Sequence, residues 1–218
     1  MGFQVAAKET VMRKAIVAGA LLGVLGAVCS AAQVPGPEKF AYWLESGGAA
    51  DAVVAPGGTV QFMAYMKILP GDWTVQGWSV ALCHDGAVVQ MIDPFPEDGT
   101  ARASAMIAGT DTATVKNGAE PSFNTITVFP NEGVTQGVVI DMMVAVTLPP
   151  TERFSMIKVE YRAVGAAGAA TALAFCDSVL GTPAVENVVV VEGNSIQPGV
   201  RTDGSITIQS EPLIPTIA

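Results

Sequence analysis

From residue 33 onward the chain alternates. In Thr59–Ile68, Val60, Phe62, Ala64, Met66 and Ile68 fall on one face, and Thr59, Gln61, Tyr65 and Lys67 on the other, with Met63 the exception. A repeat of two is the side-chain period of a strand, so this run reads as a half-buried strand of an antiparallel sheet. The turn Ala55-Pro56-Gly57-Gly58 precedes it. No stretch after residue 33 carries the apolar stripe of an amphipathic helix. In Thr74–Asp85, Trp78, Val80, Leu82 and His84 share one face. Asp85-Gly86 is then expected to turn the chain into Ala87–Ile92.

Further strands are expected at Phe123–Phe129, Gly137–Val146, Phe154–Ala163, Ala170–Cys176, Asn187–Glu192 and Ser205–Gln209. Weaker signals lie around Ala105–Ile107 and Ala113–Val115. Turn residues separate the runs, at Pro130-Asn131-Glu132-Gly133, Pro149-Pro150 and Gly165–Gly168. This predicts an all-β fold, an antiparallel β-sandwich of about nine strands. The uncharged Val188–Val191 run would be an aggregation hazard on an edge. It reads instead as a central strand, or as a strand at a subunit contact.

The N-terminal end reads as an address. Lys8, Arg13 and Lys14 precede an apolar run of 14 residues from Ala15 to Val28, and small residues follow at Cys29, Ser30, Ala31 and Ala32. The run suits a signal peptide and is short of the roughly 20 residues of a membrane span. Residues 1–32 are therefore expected to be cleaved, with Met12 as an alternative start. A retained anchor and lipidation at Cys29 are the competing readings. The remaining organisation is a linker over 33–38, a domain over 39–209 and a flexible tail over 210–218. A secreted, periplasmic or cell-surface location follows, with no stable membrane span after cleavage.

Removal of Lys8, Glu9, Arg13 and Lys14 with that segment leaves 186 residues with 8 basic and 19 acidic side chains, a net of −11. Such a chain meets neither nucleic acid nor anionic membranes favourably. Half of the residues of the full sequence are hydrophobic, too many for a disordered chain. A domain of this size buries roughly 70 % of its unfolded surface, so it needs no metal to fold.

Two cysteines remain, Cys83 and Cys176, 93 positions apart. Redox pairs sit close together, so a structural disulfide is the expectation, with two buried thiols as the alternative. The one histidine, His84, stands beside Asp85, but no nucleophile elbow accompanies them, and the pair reads as a buried strand end. Glu97 and Asp98 lie in a Pro/Gly loop. They are candidates for glycoside hydrolysis or, with Asp93 or Asp111, for calcium, but adjacent acids in a loop usually face water. No cofactor is expected and no enzymatic activity. Trp43, Trp73 and Trp78, with Tyr42 and Tyr65, could form a sugar-stacking platform. Trp73, in a loop after Gly71-Asp72, is the ring expected to be exposed, whereas Trp78 has core parity.

The order of motifs resembles a cohesin module. An N-terminal strand would precede Pro56-Gly57-Gly58-Thr59-Val60-Gln61-Phe62. Val75-Gln76-Gly77-Trp78-Ser79-Val80-Ala81-Leu82 then matches the family's Val-x-Gly-aromatic strand, with Cys83-His84-Asp85 in place of its usual aromatic-Asp ending. Asp203-Gly204-Ser205-Ile206-Thr207-Ile208 resembles the closing strand. The similarity covers most of residues 38–209, and the Cys-His-Asp and later Phe-Cys steps resemble secreted bacterial proteins more than cellulosomal modules. The resemblance implies a jelly-roll sandwich that binds a protein partner on one sheet face, in this family a dockerin helix pair. The sequence itself holds no duplicated dockerin calcium loop. The expected activity is non-catalytic interaction or adhesion outside the cell. The alternative is a carbohydrate-binding module that holds a polysaccharide through Trp73, and a secreted hydrolase stands third.

Overall fold

The computed structural model describes residues 34–92, 111–143 and 145–210. Among these described residues, thirteen strands form two sheets. The first sheet contains β1 (Phe40–Glu45), β3 (Thr59–Ile68), β5 (Val89–Met91), β8 (Thr151–Ala163) and β12 (Val200–Thr202), in the order β12-β1-β3-β8-β5. The second contains β2 (Asp51–Val54), β4 (Val75–Cys83), β6 (Phe123–Phe129), β7 (Gly133–Val139), β9 (Ala170–Phe175), β10 (Val188–Val191), β11 (Asn194–Ile196) and β13 (Gly204–Ile208). Within it β4 is central. On one side it pairs with β7, and β7 with β6. On the other it pairs with β10 along most of its length and with β9 at its end.

Most pairings are antiparallel, and two are parallel: β1 with β12 and β2 with β13. The core fills the space between the sheets. Phe62, Ala64, Met66 and Ile68 of β3 are buried, and they share one parity, as the alternation requires. They share the core with Trp78, Val80 and Leu82 of β4 and with Val159 and Tyr161 of β8. The Trp78 ring meets Phe154 edge to face at 5.2 Å.

A bulge in β8 shows how the core tolerates polar groups. Register slips between Ala64 and Tyr65, whose partners are Ile157 and Ser155, so Met156 has no partner. Its carbonyl accepts from buried Thr112 Oγ1 at 2.6 Å and from buried Gln136 Nε2 at 3.3 Å. Those two side chains supply the donors that the ladder does not.

Several expected elements differ. The observed strand count exceeds nine because short strands of three or four residues carry too few positions for a period to show. The Asp85-Gly86 turn does not make a hairpin: β4 and β5 lie in different sheets, so Asp85–Val88 carries the chain between layers. Ala113–Val115 falls at a 3-10 turn, Asp111–Thr114, rather than in a strand. The strand expected at Gly137–Val146 is shifted to Gly133–Val139. Beyond it, the Asp141 carboxylate accepts from Met143 N–H at 3.2 Å and pairs with Lys116 Nζ at 3.2 Å. Val188–Val191 lies between β4 and β11, with Val189 and Val191 fully buried and Val188 and Val190 half-buried. The expected linker is docked on the sandwich at its end: Pro35 is buried, and the Pro37 carbonyl accepts from Gly199 N–H at 2.8 Å. The signal segment with Cys29, the loop with Asp93, Glu97 and Asp98, and residues 211–218 lie outside the described residues.

Candidate functional site

Charge divides the two sheets. The strands of the first carry Glu45, Lys67, Glu152, Arg153, Lys158, Glu160, Arg162 and Arg201. The strands of the second carry one charged residue, Asp51 at its β2 edge. In a chain with a net charge of −9, a sheet this free of charge is a surface that water solvates less well than the rest.

Register identifies its outward-facing residues. Val134, Gln136 and Val138 of β7 are buried in the core, so Thr135, Gly137 and Val139 point outward. Their partners on β6 are Thr127, Thr125 and Phe123, and on β4 Ala81, Ser79 and Gly77. One end of this face is roofed by a strap, residues 177–186. Leu180 of the strap is 1 % exposed and sits over Gly133, where a Cβ would come within 2.7 Å of the Leu180 methyl. The other end is open. Phe123 and Val139 are exposed, and Met142 and Met143 beyond β7 extend the apolar surface, Met143 at 84 % exposure. Gly137 keeps the floor flat, since a Cβ there would touch only the Phe123 ring, at 3.9 Å.

The strap is anchored at both roots. Cys83 and Cys176 are joined by a disulfide with Cα atoms 5.9 Å apart, at the end of β4 and just after β9. The next residue, Asp177, accepts from the Asn187 backbone N–H at 2.8 Å, from Asn187 Nδ2 at 2.9 Å, and from Arg201. Burial pushes the Asp177 carboxyl up, but the Asn187 and Arg201 donors outweigh it and hold the group below its ordinary value. Asn187 is buried, and its Oδ1 accepts from Ala81 N–H at 2.8 Å; Ser79 Oγ donates to the Glu186 carbonyl.

The three tryptophans do not form a row. Trp78 is in the core. Trp73 is half-buried rather than exposed: it packs against the core and Gly71, and the Lys39 ammonium lies 5.7 Å from its ring centre. Its loop folds back onto the sandwich because the ring has apolar surface to bury there. Trp43 lies on the outer face of the first sheet, its Nε1–H bonded to Glu45 at 2.7 Å, and stacks on Tyr65 at 5.4 Å. From the strand on the other side, Arg153 covers Tyr65 at 3.9 Å and pairs with Glu45 at 2.7 Å. Tyr65 is thus flanked on both sides by its own neighbours. A concavity of ≈ 360 Å³ beside them is lined by Gly48, Met63, Lys158 and Glu45 among others, and Glu45 is its one carboxylate. It lacks the acid pair of a glycosidase.

His84 is half-buried. Its Nε2 lies 3.1 Å from the Pro130 carbonyl and its ring packs edge to face on Tyr161 at 5.1 Å. Burial lowers its pKa, against the opposing effects of Pro130 and Asp85. The Asp85 carboxylate accepts from Ala87 N–H and closes a local turn, whereas Asp111 accepts from Ser155 N–H and ties its 3-10 turn to β8. Among the described residues no group of three or more His, Cys, Asp or Glu is placed to hold a metal, and no helix is long and apolar enough to cross a membrane.

Sequence reasoning missed the open face. Its signal was an absence: β6 and β7 carry no charge on either side of the Glu132 turn.

No family model matches the sequence, and no curated protein matches it. Solved structures do. The third cohesin ScaC of Acetivibrio cellulolyticus, solved with the ScaB dockerin, matches with a TM-score of 0.55 at 11 % identity, over 78 % of this chain and 99 % of that one. A type III cohesin of the ScaE anchoring scaffoldin of Ruminococcus flavefaciens gives 0.53 at 11 %, over 80 % and 89 %. The OlpC cohesin of Clostridium thermocellum, solved in complex with Doc435, gives 0.52 at 12 %, over 82 % and 98 %. The fold is a cohesin-like β-sandwich.

Proposed function

We propose that this protein is a non-enzymatic interaction module outside the cell, which takes a protein partner on the open end of its charge-poor sheet. The observation that carries this reading is the charge partition: one charged residue in eight strands, against eight in the other five. Interaction surfaces are depleted of charge at their centre and enriched in aromatic residues and Met, and Phe123, Val139, Met142 and Met143 supply that composition. The flat floor at Gly137 suits helices laid across it. A dockerin-like helix pair is the partner chemistry that fits, and the neighbours solved with dockerins support it. The signal-like N-terminal run supports the extracellular setting.

The test compares the wild-type protein with Val139→Glu in capture from culture fluid, with insoluble polysaccharide alongside. A stoichiometric partner retained by the wild type and weakened at least about tenfold by Val139→Glu, with the melting temperature unchanged, is the expected result. Affinity should change little with salt, because no charge lies on the face. Retention on polysaccharide that ignores Val139→Glu would overturn the reading.

A further inference from the structure

The strand β6 closes one end of the second sheet. It pairs with β7 on one side and with no strand on the other among the described residues. Natural edge strands are blunted by Lys, Pro, a bulge or shortness. The seven residues of β6, Phe-Asn-Thr-Ile-Thr-Val-Phe, have none of these, and its register with β7 is unbroken.

The strand is also a near-palindrome. Read in either direction from Ile126, it presents Thr at one step and Phe at three, with only Asn124 and Val128 differing. An antiparallel pair related by a twofold axis through Ile126 would set Phe123 opposite the second Phe129, and Thr125 opposite the second Thr127. Aromatic pairs and Thr pairs directly opposite one another are among the favourable cross-strand contacts. A twofold interface needs such self-complementarity, because the same patch serves both partners.

The backbone agrees. Ala81 accepts from Cys176 N–H and donates to Asn187, so its peptide groups face away from β7. Alternation then turns Val80 and Leu82 toward β7, Thr135 and Gly137 toward β6, and Thr127 and Thr125 back toward β7. The N–H and C=O groups of Asn124, Ile126 and Val128 are left on the open edge, where a second β6 can meet them.

We propose that two copies of this chain pair through β6, antiparallel and centred on Ile126, to form one continuous sheet. The proposal does not require the partner reading above; Phe123, Thr125 and Thr127 also lie on that face, and the test reads self-association alone. Sedimentation equilibrium of the purified chain should give twice the monomer mass. Thr125→Lys/Thr127→Lys sets like charges opposite each other across the axis and should weaken association at least about tenfold. Thr125→Lys/Thr127→Glu sets opposite charges there and should restore it. Both positions are exposed, and circular dichroism of each variant verifies the fold. A wild type that stays monomeric, or a dimer that the Lys/Lys variant leaves intact, overturns the proposal. A Lys/Glu variant as weakly associated as Lys/Lys overturns the register.

Discussion

Asp177 accepts three hydrogen bonds from two residues that are otherwise far apart in the chain, Asn187 and Arg201. Asp177→Ala would leave the buried Asn187 donors without an acceptor, a loss of about 1–3 kcal/mol, readable by urea denaturation. Because the folded carboxyl titrates below its ordinary value, its contribution is complete above that value. It is lost as pH falls through the lower folded value. His84 behaves in the same direction for the opposite reason. Its folded pKa is lowered, so folding favours the neutral ring. That contribution is present above about 6.5 and is lost as pH falls toward the folded value. His84→Gln should therefore lose less stability than wild type between about pH 7.5 and about pH 5, as followed by thermal melts. Gly133, at φ 157°, has no room for a side chain: a Cβ would sit 1.9 Å from the Leu82 carbonyl oxygen. Gly133→Ala should cost about 1–3 kcal/mol or more, because the obstacle is backbone and the pairing of β4 with β7 must shift.

Among the elements, the strap has the clearest energetic signature. Its disulfide closes a separation of 93 residues, which in the chain-entropy picture contributes roughly 4–5 kcal/mol as an upper figure. Cys83→Ser/Cys176→Ser should lower the denaturant midpoint accordingly. It should also speed amide exchange at Ala81, whose N–H bonds to Asn187 just after the strap. The elements also show what the sequence could disclose. β3 was legible to the residue because ten positions alternate with one exception, and Trp78 was legible from its parity. β7 was misplaced because Met142–Val146 is apolar without alternating, and the Asp141–Lys116 contact just beyond the strand is not visible from either residue alone. β11 and β12, three residues each, hold no period to detect. The open face needed the register of β6, β7 and β4 together: Phe123, Gly137 and Val139 are unremarkable alone, and only pairing puts them side by side.

For the whole molecule, the order of the strands in the sheets differs from their order of synthesis. β12 lies parallel to β1, with Val200–Thr202 against Ala41–Trp43, and β13 lies parallel to β2, with Ser205–Ile208 against Asp51–Val54. Among the described residues the strand β2 pairs with β13 alone. A chain that has grown as far as Gln197 thus holds a strand with nowhere to bond and a first sheet that lacks one edge. Contacts this distant in sequence slow folding, since the intervening loop must close before they form. The earliest-made strands of the domain must wait for the latest, and an emerging chain stays pliable until Val200–Ile208 exists to complete both sheets at nearly the same moment.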